Sequence, residues 1–182
     1  MLGLLAALTL LAAVRYRKLL LVMLVAGLLM WTLPLTQGYV QHFLAGLQGQ
    51  DLATQMRFGE YKDAFNFIRR YPWLGVGFAG TPDIDLYVGV ANVYLLIAEQ
   101  MGLVGLGAFL LAVGAFFIHA GVGWWRLRHD PHLGAIVLGL TAAVAGALVG
   151  GIFDHFLFNM DFPHAVSLFW LYIGLAAVAV KM

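Results

Sequence analysis

The sequence predicts an all-α, polytopic transmembrane protein with one large extracytoplasmic loop that contains an amphipathic helix. Three observations lead to this fold class. Hydrophobic residues make up 63% of the 182 residues and charged residues only 10%, whereas soluble domains have about 45–50% apolar and about 25% charged residues. Apolar runs of membrane-spanning length are joined by short basic connections. One long polar stretch, residues 36–90, interrupts them.

Two N-terminal membrane helices are predicted in residues 1–35. The first, Met1–Val14, would extend only about 21 Å at about 1.5 Å per residue, short of a hydrocarbon core of about 30 Å. We therefore expect it to be the end of a longer helix. Its basic residues follow the apolar run, whereas those of a signal peptide precede it. The second run, Leu19–Leu35, is long enough to span with little tilt.

Three further membrane helices are predicted in residues 103–182, at Leu103–Trp125, Leu133–Phe153 and Phe162–Val180. The positive-inside rule orients them. The spans alternate in direction consistently when the basic connections and the C-terminus are cytoplasmic. The basic residues at these places are Arg15, Arg17, Lys18, Arg126, Arg128 and Lys181. This predicts a multi-pass protein of the inner (cytoplasmic) membrane whose residues 36–102 lie outside the cytoplasm.

The extracytoplasmic segment, residues 36–102, is predicted to contain two helices. Apolar residues recur at the spacing of one helix face, namely Tyr61, Ala64, Phe65 and Ile68. Pro72 ends this amphipathic helix near Arg70 or Tyr71, because the residue before a proline avoids the helical region. An alternative is a helix that lies on the membrane surface with its basic residues against lipid phosphates. A short interfacial helix, Ala91–Gln100, follows. Gly102 and Gly105 loosen the chain after it, and a break is expected before the span that starts at Leu103.

A glycine-rich turn separates these two helices. Gly75, Gly77 and Gly80 permit backbone angles closed to other residues and let a second group approach the main chain closely. After an arginine-rich helix, this turn is a candidate pocket for an anionic head group. Glu99 lies in an apolar run near the bilayer, where a carboxylate is costly, so it is a candidate functional residue. The alternative is that Glu99 pairs with a loop arginine, Arg57 or Arg69.

Polar residues also crowd the turn between the last two predicted spans: Asp154, His155, Asn159, Asp161 and His164. The alternative interpretation is an interfacial turn anchored by aromatic residues. No serine is placed for His155 to activate, which disfavours a Ser-His-Asp hydrolase. The chain has no cysteine and no HxxxH or HExxH spacing, so neither a metal nor another cofactor is expected. A net charge of +1 without a basic face indicates no nucleic-acid partner.

Several motifs follow one another between Arg57 and about Leu106. After Arg57 and a helix come PWLGVG from Pro72, ANVYL from Ala91, a glutamate and GLVG. This order resembles the C-terminal signature of the O-antigen ligase and polymerase family: Arg, a helix, Pro-x-Leu-Gly-x-Gly, His-Asn-x-Tyr-Leu, Glu and Gly-Leu-x-Gly. Ala91 stands where the family has a histidine that is thought to help the acceptor hydroxyl attack the donor.

The resemblance implies glycan transfer from an undecaprenyl-pyrophosphate donor to an acceptor hydroxyl at the outer face of the membrane. Its partners are then membrane lipid, the lipid-linked donor and a glycan or lipid acceptor. The implied pyrophosphate-binding residues are Arg57, Arg69 and Arg70, since a guanidinium binds phosphate through two parallel hydrogen bonds. The motifs add the substrate-binding positions Gly75, Gly77, Asn92 and Tyr94. Because Ala91 cannot move a proton, we predict Glu99, assisted by His155, as catalytic.

Members of that family have about a dozen spans, so this chain resembles their C-terminal part. A partner membrane chain that supplies N-terminal helices is one expectation. A non-catalytic membrane subunit, or a degenerate ligase that acts as a scaffold, is favoured by Ala91 and the short first helix. A transporter ranks last, because polar residues are expected along its spans, and Leu103–Trp125 and Leu133–Phe153 hold little beyond His119 and Thr141.

Overall fold

The computed structural model describes residues 2–47, 52–78 and 90–181, and all regular structure within these ranges is helical. The all-α prediction is therefore confirmed. Gly80 and residues 81–89 of the predicted loop lie outside the described residues. Besides a 3₁₀ turn at Pro34–Thr36, the described ranges contain seven helices: α1 Leu2–Val14, α2 Arg17–Thr32, α3 Gln37–Leu47, α4 Leu52–Arg70, α5 Val93–Leu127, α6 Leu133–Gly150 and α7 Pro163–Ala179. The apolar pattern does not predict α3.

Among the described helices, α5 and α6 are long and apolar enough to cross a membrane. The apolar helices α1 and α7 are shorter, with 13 and 17 residues. Helix α5 has 35 residues, but Gly102 inside it has non-helical backbone angles, so α5 is not one straight helix. Its part after Gly102, residues 103–127, corresponds to about 38 Å, which is long enough to cross a hydrocarbon core of about 30 Å.

Helix α1 packs antiparallel against α6 through small residues. Gly3 and Gly146 approach so closely that a methyl group on either one would meet the backbone of the other. Further along, Leu11 and Gly139 line the same groove. Small residues let two helix backbones come close, which is a common way for apolar helices to associate in lipid. Helix α2, in contrast, has no buried residue.

The main core lies between α5, α6 and α7. Phe109 of α5 stacks on Phe169 of α7 with ring centroids 6.3 Å apart, and it meets Tyr94 and Phe158 edge to face at 6.4 Å. Each aromatic pair of this kind contributes about 0.5–1.5 kcal/mol beyond its buried area. Because Phe158 belongs to the connection between α6 and α7, the cluster ties that connection to α5.

Helix α4 packs on the first part of α5. Ala64 shares a small buried cluster with Val90 and Leu96, and Phe67, one turn later, is only 2% exposed. Of the predicted apolar face, Tyr61 packs against this cluster, whereas Phe65 is 52% exposed. Aromatic residues occur on two sides of α4, so periodicity alone leaves the buried side open. The contact with α5 selects the side that carries Ala64 and Phe67.

The start of α6 is fixed by Asp130. Its Oδ1 accepts hydrogen bonds from the amides of His132 and Leu133, both at 2.8 Å. These amides would otherwise be unpaired at a helix N-terminus. The hydrogen bond from Leu133, followed by the one from His132, lowers the pKa of Asp130 from its ordinary value. The turn between α5 and α6 is thereby held by a carboxylate at neutral pH.

The antiparallel helix order groups the chain connections at two ends of the bundle. The α1–α2 connection, the α5–α6 connection and the C-terminus share one end, where Val180 packs against Gly123. Six basic residues belong to this end: Arg15, Arg17, Lys18, Arg126, Arg128 and Lys181. The start of α5 and residues 151–162 lie at the opposite end. Cations gathered at one end form the pattern that the positive-inside rule describes.

Candidate functional site

A break at Gly102 divides α5 into residues 93–101 and 103–127, as the sequence predicts. Gly102 has φ +68° and ψ −175°, outside the helical region and in the range that favours glycine. Such a break removes the intrahelical partners of the carbonyls before it and of the amides after it. Those groups need other partners if the junction is buried.

The glycine turn at residues 71–77 supplies these partners. The amides of Val76 and Gly77 donate to the carbonyls of residues 99 and 100 at 2.8 and 2.9 Å, and the Leu103 amide donates to the Pro72 carbonyl at 2.8 Å. Gly75 and Gly77 have φ of +69° and +86°. A methyl group on Gly75 would meet the backbone at residues 99 and 100. The glycines therefore let the turn dock on the break, which fixes the end of α4 against α5.

Asn92 and Tyr94 hold the start of α5 in place. The side-chain oxygen of Asn92 accepts the amides of Tyr94 and Leu95 at 2.9 and 3.0 Å and so caps the helix. Its amide nitrogen donates to the carbonyl of Ile152 at 2.9 Å. The Tyr94 hydroxyl donates to the carbonyl of Leu148 at 2.9 Å. Both predicted substrate-binding side chains are thus engaged within the protein.

Residues 151–162, the connection between α6 and α7, lie against this start of α5. The helix begins at Val93, two residues after the predicted start at Ala91, because Asn92 occupies the capping position in an extended conformation. The Val93 amide donates to the carbonyls of Gly151 and Asp154 at 2.7 and 3.1 Å. Folding therefore brings the predicted outer turn next to the ANVYL motif, a contact that sequence spacing leaves undetermined.

His155 follows directly after this contact. Its Nδ1 lies 3.8 Å from the Asp154 carboxylate, beyond hydrogen-bond distance, and has no hydrogen-bond partner among the described residues. The imidazole ring packs beside Phe156 and Phe162, with centroid distances of 5.5 and 5.9 Å. His164, in the first turn of α7, is exposed. Of the two histidines, His155 is the one held near the start of α5.

Three acidic residues lie at the contact between α4 and α5. The Oε2 atom of Glu60 accepts the amide of Ala91 at 3.1 Å. Asp63, one turn later, is close enough to Glu99 to repel its charge, and Glu99 is 3% exposed. Within the described ranges, Glu99 forms no ion pair with an arginine and these carboxylates are not arranged to hold a metal ion. The sequence motifs do not single out Glu60, although it follows Arg57 at helical spacing.

The three predicted pyrophosphate-binding arginines are exposed and lie on different sides of α4. At about 100° per residue, Arg57 lies beside the α5-facing side, one turn before Glu60. Arg69 lies on the side opposite to α5. Arg70 borders the α5-facing side at its other edge, with its guanidinium 5.8 Å from the Tyr71 ring centroid. About 18–20 Å of helix axis separates Arg57 from the other two, so one pyrophosphate cannot contact all three.

The family model of the O-antigen ligase matches residues 1–110, more than half of the chain. The matched region contains α1 to α4, the glycine turn, the ANVYL motif and the break at Gly102. No curated protein matches the chain. The matched region thus includes the junction between α4 and α5 around which the predicted site residues are placed, and the chain belongs to the O-antigen ligase family.

Proposed function

We propose that this protein transfers a glycan from an undecaprenyl-pyrophosphate donor to an acceptor hydroxyl at the outer face of the cytoplasmic membrane. Family membership supports ligase-like or polymerase-like glycan transfer, and the two long apolar helices support a membrane protein. One observation carries the finer proposal. At the start of α5 the Glu60 carboxylate accepts the Ala91 amide, and the carbonyl of Asp154, next to His155, accepts the Val93 amide. Arg57 lies one turn before Glu60 on α4.

In the proposed reaction, negative charge develops on the pyrophosphate as its bond to the glycan breaks. An arginine matches this leaving group, because its planar guanidinium stays charged and forms two parallel hydrogen bonds to phosphate. Positioned donors of this kind lower a barrier by several kcal/mol. Of the three arginines, we assign Arg57 to the pyrophosphate, since it lies beside the acidic contact. Arg69 and Arg70, further along α4, are assigned to phosphates at the membrane surface.

The acceptor hydroxyl must lose its proton to a group within about 3 Å, directly or through one water. The sequence analysis proposes Glu99 and His155 for this step. Glu99 is 3% exposed, so substrate would have to enter the contact between α4 and α5 to reach it. His155 is more accessible, and its chain neighbour Asp154 accepts the Val93 amide. We therefore retain His155 as an assisting group near the start of α5.

We further propose that the protein is a multi-pass protein of the inner membrane, with the basic end of the bundle in the cytoplasm and residues 36–102 outside. The gathering of six basic residues at one end supports this orientation. The site around the start of α5 would then face the compartment in which lipid-linked glycans are transferred.

Single cysteines test this orientation, because the chain has no cysteine of its own. Lys62 on α4 and His129 in the α5–α6 connection are both exposed. In whole cells, Lys62→Cys is expected to react with a membrane-impermeant maleimide, and His129→Cys only after permeabilisation. Labelling of His129→Cys alone in intact cells would contradict the orientation and the outer location of the site.

A transfer assay tests the function. Membranes are prepared from cells in which the gene is deleted and then supplied on a plasmid, so that the native donor and acceptor are present. Both ligation and polymerisation release undecaprenyl pyrophosphate, and its release is expected to depend on the plasmid copy. Equal release from membranes with an empty plasmid would show that the protein is not required.

A non-catalytic subunit is the second candidate. Ala91 lacks a proton-accepting side chain, and α2 has no buried residue, which leaves an apolar helix for a partner membrane helix to cover. Purified protein in lipid vesicles separates the two candidates. With donor and acceptor extracted from the deletion cells, an enzyme releases undecaprenyl pyrophosphate on its own, whereas a scaffold requires a second chain.

A further inference from the structure

We propose that Glu60 takes the proton from the acceptor hydroxyl and so supplies the group that Ala91 lacks. This inference rests on the proposed glycan transfer and names its general base. It starts from one contact: the Oε2 atom of Glu60 accepts the Ala91 amide at 3.1 Å. A carboxylate from α4 therefore lies within hydrogen-bond distance of the backbone at the position where the family signature has a proton-accepting side chain.

Access distinguishes Glu60 from Glu99. Glu60 and Ala91 are both partly exposed, whereas Glu99 is 3% exposed. The acceptor hydroxyl belongs to a glycan or a lipid, so a base that acts on it has to be reachable from outside the helix contact. Glu99 also lies six residues after the start of α5 at Val93, about 9 Å further along the helix, and Ala91 precedes that start. Glu60 is thus the more accessible carboxylate and the closer one to position 91.

The surroundings of Glu60 hold its carboxylate in a defined place. Ala64, one turn later on α4, is 1% exposed and anchors this side of the helix on α5. The Ala91 amide fixes one carboxylate oxygen. An ionised carboxylate has about four acceptor positions on its two oxygens, so the second oxygen can take a proton. A base on a packed helix is also held more rigidly than one on a loop.

Arg57 adds a reason for this assignment. It lies three residues before Glu60 on α4, and residues at this spacing have Cβ atoms about 5–6 Å apart. A pyrophosphate bound by Arg57 would therefore bring the anomeric carbon of the donor close to Glu60. The acceptor hydroxyl would enter between the donor and the start of α5.

The step needs no reactant beyond donor and acceptor. The hydroxyl proton passes to the Glu60 carboxylate while the hydroxyl oxygen forms a bond to the anomeric carbon. The bond between this carbon and the pyrophosphate oxygen breaks, and its electron pair leaves on undecaprenyl pyrophosphate. Glu60 then releases its proton to water, which restores the carboxylate.

Purified protein in vesicles, with donor and acceptor extracted from the deletion cells, provides the test. Glu60→Gln keeps the volume of the side chain and an acceptor for the Ala91 amide. We expect it to lower kcat for undecaprenyl pyrophosphate release at least about 100-fold, with the donor KM within about twofold. Glu60→Ala is expected to be partly restored by added formate, which supplies a carboxylate. Lys62→Gln, on the far side of α4, is the matched control and is expected to keep the parent rate.

Three results would count against Glu60 as the base. An active parent with an equally active Glu60→Gln variant would overturn the assignment and leave the proposed transfer intact. A loss of activity that merely follows a loss of protein from the membrane, without rescue by formate, would give Glu60 a structural role instead. A parent without any transfer would overturn the proposed function, and the assignment with it.

Discussion

Gly102→Ala is expected to disrupt the junction of α4 and α5 and to remove most of the folded protein from the membrane. Alanine at φ +68° and ψ −175° is strained, because this region is essentially restricted to glycine, and the cost is about 1–3 kcal/mol. Its methyl group would also meet the backbone at Trp73, so the turn would have to move away from the break. Lost hydrogen bonds of about 1 kcal/mol each then bring the total destabilisation to roughly 3 kcal/mol or more. The protein level in membranes and the melting temperature in detergent measure this effect.

Gly107→Ala is the matched control in the same helix. A methyl group at Gly107 has no neighbour within 4 Å among the described residues, and its backbone is helical. Alanine is the better helix former by about 1 kcal/mol, so this variant is expected to be as stable as the parent or slightly more stable. If Gly102→Ala were equally stable, the docking of the glycine turn on the break would be wrong.

Arg57→Lys is expected to lower the rate of glycan transfer roughly 10- to 100-fold. Lysine keeps the positive charge but cannot form the two parallel hydrogen bonds of a guanidinium. The expected loss corresponds to about 1.5–3 kcal/mol for a hydrogen bond to a charged group, and about 1.4 kcal/mol is tenfold in rate. Release of undecaprenyl pyrophosphate from the complemented membranes measures it, with the amount of protein checked in the same membranes.

Arg69→Lys is the comparison for this experiment. Arg69 lies on the side of α4 opposite to α5 and is exposed, so lysine is expected to serve there nearly as well as arginine. Equal rates for the parent, Arg57→Lys and Arg69→Lys would contradict the assignment of Arg57 to pyrophosphate. They would support the alternative interpretation of α4 as an amphipathic helix whose cations contact lipid phosphates.

The glycine turn shows how far local reasoning extends. Three glycines after an arginine-rich helix indicate backbone angles closed to other residues and a pocket for an anionic head group, and the positive φ of Gly75 and Gly77 agrees with the first of these expectations. What approaches them is the broken part of α5, more than twenty residues later in the chain. Spacing along the chain does not predict this contact. The amides and carbonyls of the break and of the turn pair with each other only after both helices have packed.

The contact between Glu60 and Ala91 is likewise not predicted by spacing along the chain. In the sequence, a motif indicates Arg57 and an apolar run indicates Glu99 as candidate functional residues. Nothing indicates Glu60, since an acidic residue on an amphipathic helix is ordinarily solvated. Its contact with Ala91 arises from the side of α4 that turns toward α5. That side carries Ala64 of the predicted apolar face, whereas Phe65 of the same face is exposed.

The sequence by itself determined the all-α class, the C-terminal end of α4 and the break before the helix part that starts at Leu103, because hydrophobic periodicity, proline and glycine act on neighbouring residues. It also indicated the family through motifs in a fixed order. The tertiary structure decided which side of α4 is buried and which carboxylate meets position 91. It also decided that residues 151–162 lie at the start of α5. These three features depend on the packing of helices that are far apart in the chain. The hydrogen bonds and close packing between such helices form only when the whole bundle is assembled.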